Sequence, residues 1–164
     1  HALASTFILQ RVAPGTARFR VAGQRLHDLI KMDARGMPFT TLFQPAARDQ
    51  IKSLTEAVFS GPEIIGLPLV SHGSVLRPTV HGAMLLLPMQ DDHGVTNRLL
   101  GALITPQMHH ARARRFEINA QVPMRRDQLG LSLVTTQLIP KEPVQTQRPD
   151  AKQHPALRLV VNNG

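Results

Sequence analysis

The eight histidines are the first residues with chemistry to offer. His27 falls in a helical stretch, His81 in a strand-like run, His72 and His93 in turns, and His109 and His110 follow the last apolar run. A metal site needs ligands that converge at fixed spacing, as in H-E-x-x-H, and no such spacing occurs. The segment "DDH", 91–93, sets two carboxylates beside an imidazole, which could hold an oxygen-ligated cation or move a proton. Gly94 follows it, and in that setting Asp and His read as turn residues. The segment "SHGS" brings together Ser71, His72 and Ser74, but neither serine sits in a G-x-S-x-G elbow. There is also no Walker A or G-x-G-x-x-G loop. No catalytic residue, no metal ligand and no enzymatic activity are expected.

Charge offers a second chemistry. The formal net charge is +8, a balance that suits nucleic acid, a membrane surface or an acidic partner. It concentrates in "MHHARARRFEINAQVPMRR", 108–126, where Arg112, Arg114, Arg115, Arg125 and Arg126 stand against Glu117 alone. Arginine forms bidentate contacts with phosphate, so these five form a candidate basic patch. Single-strand binding also uses aromatic stacking, and only Phe116 is at hand. A cyclic dinucleotide site would add a small polar motif after "RARR", and none follows. Nucleic acid or nucleotide binding is therefore the alternative reading, a sequence-neutral membrane-proximal patch stands beside it, and a solvated segment is the simpler one.

Composition removes other options. The chain of 164 residues suits one domain with a real core and a tail. It has no Cys, Trp or Tyr. Disulfides, Cys-based zinc sites and a flavin–cysteine adduct are thereby excluded. No indole or phenol can stack on a flavin. No run approaches the ~20 apolar residues of a membrane span, and a cytoplasmic protein is expected. The first residue is not Met, so the chain is expected to begin inside a longer protein.

The elements that must position these residues follow from periodicity. "STFILQRVA", 5–13, and residues 17–22 alternate as strands around the turn "PGT" and predict a hairpin. Residues 24–32 predict a short helix and 39–43 a helical turn. Residues 45–60 predict the main helix, opened by Pro45 and stopped by Gly61 and Pro62. Three strands follow at 63–71, 77–88 and 98–105. The last two are apolar at nearly every central position, which predicts that both sheet faces are covered. "RRFEINAQV" predicts a further strand, and "LGLSLVTTQL" another strand or a short helix. Residues 140–156 hold four prolines and read as a linker, followed by the apolar "LRLVVNNG".

The segments "FRVAGQRLHDLIKMDARGMPFTTLF", "LLLPM" and "RLLGALITP", with the later "RRFEI" and "LRLVV", resemble the proteobacterial PAS-like family first catalogued as a domain of unknown function. In that family a "FRYRLAGT" strand leads into a helix, and "LLLPL" and "GALxP" strands follow. A "PARxDxDP"-like helical stretch precedes the first strand there and has no counterpart here. The resemblance covers most of residues 5–120 and implies an α/β (α+β) fold: a PAS-like five-stranded antiparallel sheet, helices between the second and third strands, and an irregular C-terminal extension. The expected divisions are a core at 5–107, a basic extension at 108–139 with room for extra strands, and a linker and tail at 140–164.

Such a fold implies a cavity between helices and sheet. Leu29, Phe39, Phe43, Ile51, Leu54 and Val58 from the helices, and Leu67, Leu69, Met84, Leu86, Leu100 and Ala102 from the strands, are its expected lining. Gly66 and Gly82 would leave room beside it. Apolar cavities take small ligands with a few polar anchors. The expectation is a sensory, signalling or interaction module that binds a small molecule of unknown identity. It would act on an unknown signalling partner, or as a homodimer through the outer sheet face. A filled core, with no ligand, is the second alternative. Some PAS domains hold haem through a helical His, for which His27 is the one candidate; a helix-end His without a ligand is the simpler reading, and haem is not expected.

Overall fold

A computed structural model describes residues 2–61, 63–106 and 113–129. Chain packing divides the molecule into residues 1–131 and 132–164, and the second unit lies outside the described residues. So do Arg112, His109 and His110, the "LGLSLVTTQL" segment beyond Leu129, and the Pro-rich stretch with its apolar tail.

The chain opens with a 3-10 turn at Ala2–Ser5, then pairs β1 (Thr6–Ala13) with β2 (Thr16–Ala22) around Gly15. Both strands alternate: Phe7 and Leu9, then Ala17 and Phe19, point inward, while Arg18 and Arg20 point out. α1 (Gln24–Ile30) begins at Gly23, where a Cβ would overlap the Ala4 carbonyl oxygen. It ends at Lys31, which takes the left-handed conformation at φ 61°. That cap stops the helix two residues before the end expected from spacing.

Two 3-10 turns, Phe39–Leu42 and Pro45–Ala47, lead into α2 (Arg48–Ser60). Ile51, Leu54, Thr55, Val58 and Phe59 form its buried stripe, the i, i+3, i+4, i+7 pattern of a helix on a sheet. Thr55 Oγ1 donates to the Ile51 carbonyl at 2.7 Å, which satisfies the one hydroxyl in that stripe. Each fully buried large side chain contributes about 1.5–3 kcal/mol, so this stripe does more than helix propensity to hold α2 in place. Glu56 hooks the helix to the first hairpin: it pairs with Arg11 and accepts the Gly15 N–H at 2.8 Å.

β3 (Glu63–Ser71), β4 (Val80–Gln90) and β5 (Thr96–Ile104) complete an antiparallel sheet of order β2-β1-β5-β4-β3. β4 starts three residues later than expected because Ser74 and Arg77 pair across a tight hairpin tip. It runs on to Gln90 through a bulge opposite β5.

The sheet continues past β3 with the strand expected in "RRFEINAQV", reduced to two residues, and with one that was not expected. β6 (Glu117–Ile118) and β7 (Arg125–Gln128) both pair with the outer edge of β3, and Phe116 is fully buried beside Phe43. Part of the stretch read as a basic extension is therefore built into the core sheet. The opposite edge is also occupied. Phe19 N–H donates to the Met37 carbonyl at 3.0 Å and its carbonyl accepts the Gly36 N–H at 2.7 Å.

Candidate functional site

Ten of the twelve residues expected to line a cavity lie in one buried cluster: Leu29, Phe39, Phe43, Ile51, Leu54, Val58, Leu67, Leu69, Met84 and Leu86. Four of the six phenylalanines in that cluster meet ring to ring. Phe7 meets Phe19 edge-on with centroids 5.4 Å apart, Phe19 meets Phe39 at 5.8 Å, and Phe39 meets Phe43 at 5.2 Å. Edge-to-face contacts at these distances are those of a packed core.

Leu100 and Ala102 depart from the expectation. They lie on the outer face of β5, and the inward residues of that strand are Leu99, Gly101 and Leu103. The strand phase is shifted by one, which moves every side chain to the other face. The cause is Phe7, whose ring occupies the space beside Gly101 where a side chain would stand. The room expected beside Gly66 and Gly82 is also taken. A Cβ at Gly66 would meet the Arg125 side chain at 3.4 Å, and one at Gly82 would lie 2.9 Å from the Ile104 carbonyl oxygen.

The same shift assembles an apolar outer face. Register aligns Val21, Ile8, Leu100 and Leu87 in one row across β2, β1, β5 and β4. Ala102 and Leu85 form the next row, and Ala83 and Ile104 the one after. Leu100 is 38% exposed and Ile104 65%.

Among the described residues, Arg114, Arg115, Arg125 and Arg126 do not form one patch. Arg112 lies outside the described residues. Arg114 is buried, its N–H donates to the Leu29 carbonyl at 3.0 Å, and burial followed by the nearby Arg77 charge lowers its pKa. Arg126 is held by Glu63 through two hydrogen bonds of 2.7 and 2.9 Å, and that pairing keeps the Glu63 carboxyl below its ordinary range. Arg125 is exposed on β7. Phe116 is buried and has no face to offer a base. Sequence reasoning grouped these residues because they are close in the chain, whereas Arg114 is buried before β6 and Arg126 is paired with Glu63 on β7.

A cationic cleft does form, from Arg115 of the charge run and residues outside that run. Arg115, His72 and Arg77 line a cleft of ≈ 380 Å³ together with Gln44, Ser71 and Ala113. His72 Nε2 lies 2.6 Å from Glu117 Oε1, and Arg77 donates to the Ala113 carbonyl at 3.3 Å. The signal in the sequence was the absence of any acidic residue from Ser71 to Thr79.

His27 and Asp91 serve structure. His27 Nδ1 accepts the Ala34 N–H at 3.0 Å and Nε2 lies 3.1 Å from the Ala22 carbonyl oxygen, so both ring nitrogens are engaged by backbone. Asp91 Oδ1 accepts the N–H groups of His93 and Val95, each at 3.0 Å, and closes the turn before β5. Among the described residues no three His, Asp or Glu side chains gather as a metal-binding set, and no helix is long and apolar enough to cross a membrane.

A family profile described as PAS domain matches residues 1–104. The light-state structure of the blue-light photoreceptor Aureochrome1 LOV is similar at 16% identity and a TM-score of 0.46, over 65% of this chain and 84% of that one. Its dark structure gives the same identity and score over 65% and 78%. A flavin-analogue study of the light-oxygen-voltage domain mechanism provides a third structure, at 14% identity and a TM-score of 0.41, over 62% and 76%. No curated protein matches the chain.

Proposed function

The chain belongs to the PAS domain family, and from that premise we propose that it is a non-enzymatic signalling module of the cytoplasm that acts through the outer face of its sheet, with a second copy of itself as the first partner. The observation that carries this reading is the row Val21, Ile8, Leu100 and Leu87, continuous across four strands and flanked by Ala102, Leu85 and Ile104. Contiguous exposed apolar surface of this kind marks an interaction site. A twofold interface would set the same face of both copies together.

The interlocked phenylalanines favour an interaction module over a small-ligand sensor, because a ligand between helices and sheet would have to displace Phe7 or Phe39. A signal would then act by differential affinity for two arrangements of the paired faces, and a downstream partner would read that arrangement.

Sedimentation velocity on the full chain and on Leu100→Glu tests the reading. A concentration-dependent dimer that the charge at position 100 converts to monomer supports it. A wild-type chain that stays monomeric at high concentration overturns it. Native mass spectrometry run alongside would report any bound small molecule, and a stoichiometric adduct would restore the ligand-sensor reading.

A further inference from the structure

The β3–β4 hairpin departs from ordinary turn chemistry. Ser74 N–H donates to the Arg77 carbonyl at 2.8 Å, and Arg77 N–H returns a bond to Ser74 at 3.0 Å. Gly73 N–H donates to Thr79 Oγ1 at 3.0 Å and steadies the base. This clasp leaves two residues at the apex, Val75 and Leu76. Tight turns favour Gly, Asn, Asp, Ser and Pro, yet here a valine and a leucine stand 101% and 93% exposed. Neither takes a positive φ, so the backbone does not demand these residue types, and the packed core makes no use of them.

The surroundings of the tip give it a partner. His72 and Arg77 stand on the two arms of the same hairpin, and with Arg115 they line the cationic cleft at its base. Arg114 adds a further charge close to Arg77. Glu117, paired with His72, is the carboxylate at this cleft. An apolar tip above a cationic collar matches the layering of an anionic membrane surface, with acyl chains inside and phosphates around the point of entry.

We propose that the β3–β4 hairpin is a membrane-docking element: Val75 and Leu76 enter the headgroup boundary of an anionic phospholipid surface, and Arg77 and Arg115 hold lipid phosphate in the cleft. Charge complementarity selects this occupant over an apolar protein groove, which would leave the arginines unmatched.

Co-sedimentation of the full chain with vesicles tests it, using phosphatidylcholine alone and phosphatidylcholine with about a third phosphatidylserine. The wild-type chain is expected to bind the mixed vesicles, weakly at most the neutral ones, and less as salt rises. The double variant Val75→Ser, Leu76→Ser is expected to bind roughly tenfold more weakly, and Arg115→Ala about fivefold more weakly. Val95→Ser removes an exposed apolar residue from the hairpin at the other end of β4 and is expected to bind as wild type. All four residues are exposed, so their replacement leaves the core intact.

No binding to mixed vesicles overturns the proposal. So does binding that the tip variant retains in full, because diffuse attraction of the +8 chain would then explain it. Inorganic phosphate that shifts the Arg115 resonances without any vesicle binding would reassign the cleft to a free anion. An oligonucleotide that binds wild type and the tip variant equally, and displaces vesicles, would reassign it to nucleic acid.

Discussion

The Phe7 ring lies against Gly101 of the neighbouring strand, where it fills the volume that a side chain at position 101 would need. This contact links the first strand to the centre of the sheet and closes the interior between helices and strands. Gly101→Ala forces that ring off its site and is expected to destabilise the domain by about 1–3 kcal/mol. Phe7→Leu in the same chain should recover part of the loss. Urea unfolding midpoints measure both, and a neutral Gly101→Ala would contradict the filled interior.

Adjacent residues on β5 should respond in opposite ways. Leu99 is fully buried, and Leu99→Ala is expected to cost about 2–5 kcal/mol. Leu100 faces outward, and Leu100→Ser should leave monomer stability within about 0.5 kcal/mol. Thermal unfolding at low protein concentration separates this effect from any change in self-association.

These two positions also mark the limit of what was legible in the sequence. Element order, the main helix and its Ile51, Leu54 and Val58 stripe were readable because a 3.6-residue period survives small boundary errors. The phase of β5 was not, since "RLLGALI" is apolar on both faces and period-2 alternation carries no sign there. Gly101 was the cue: one inward position without a side chain implies a large neighbour. β6 lies within "RRFEINAQV", where a strand was expected, although only Glu117 and Ile118 pair. β7 was hidden for a different reason: it joins Gln128 to the distant Glu63, and four exposed polar residues carry no alternation to announce a strand.

His27 bridges the end of β2 and the loop after α1. Because Nδ1 accepts the Ala34 N–H, the neutral ring must carry its proton on Nε2 and donate it to the Ala22 carbonyl. Nitrogen NMR of the ring should show that single tautomer. His27→Ala leaves both backbone groups without their partner and is expected to cost about 1–3 kcal/mol.

Two carboxylates predict the acid response. The hydrogen bonds of Arg126 hold Glu63 below its ordinary value of 4.5. Those of Arg35 bring Asp33 from 3.8 down to about 2. In each case the folded state binds its proton later than the unfolded chain. The contribution is therefore complete above the ordinary value and is lost as pH falls through the lowered one. For Asp33 that window runs from about pH 4 to about pH 2. Amide protection factors at residues 125–128, taken relative to the intrinsic exchange rate at each pH, should fall on acidification below about pH 4.5, as Glu63 releases Arg126 and β7. Glu63→Gln should show low protection at neutral pH already.

The occupied sheet margins have a consequence for assembly. β6 and β7 run along β3, and the 36–38 loop bonds to Phe19 at the middle of β2, so neither β3 nor β2 offers an unbroken row of open backbone groups to an incoming strand. Templated growth by strand addition is thereby disfavoured. Association is left to side-chain contact between faces, where no ladder of backbone bonds dictates a single crossing angle. Two such faces can rotate against each other at small cost, which gives a module of this kind an adjustable joint in place of a rigid seam.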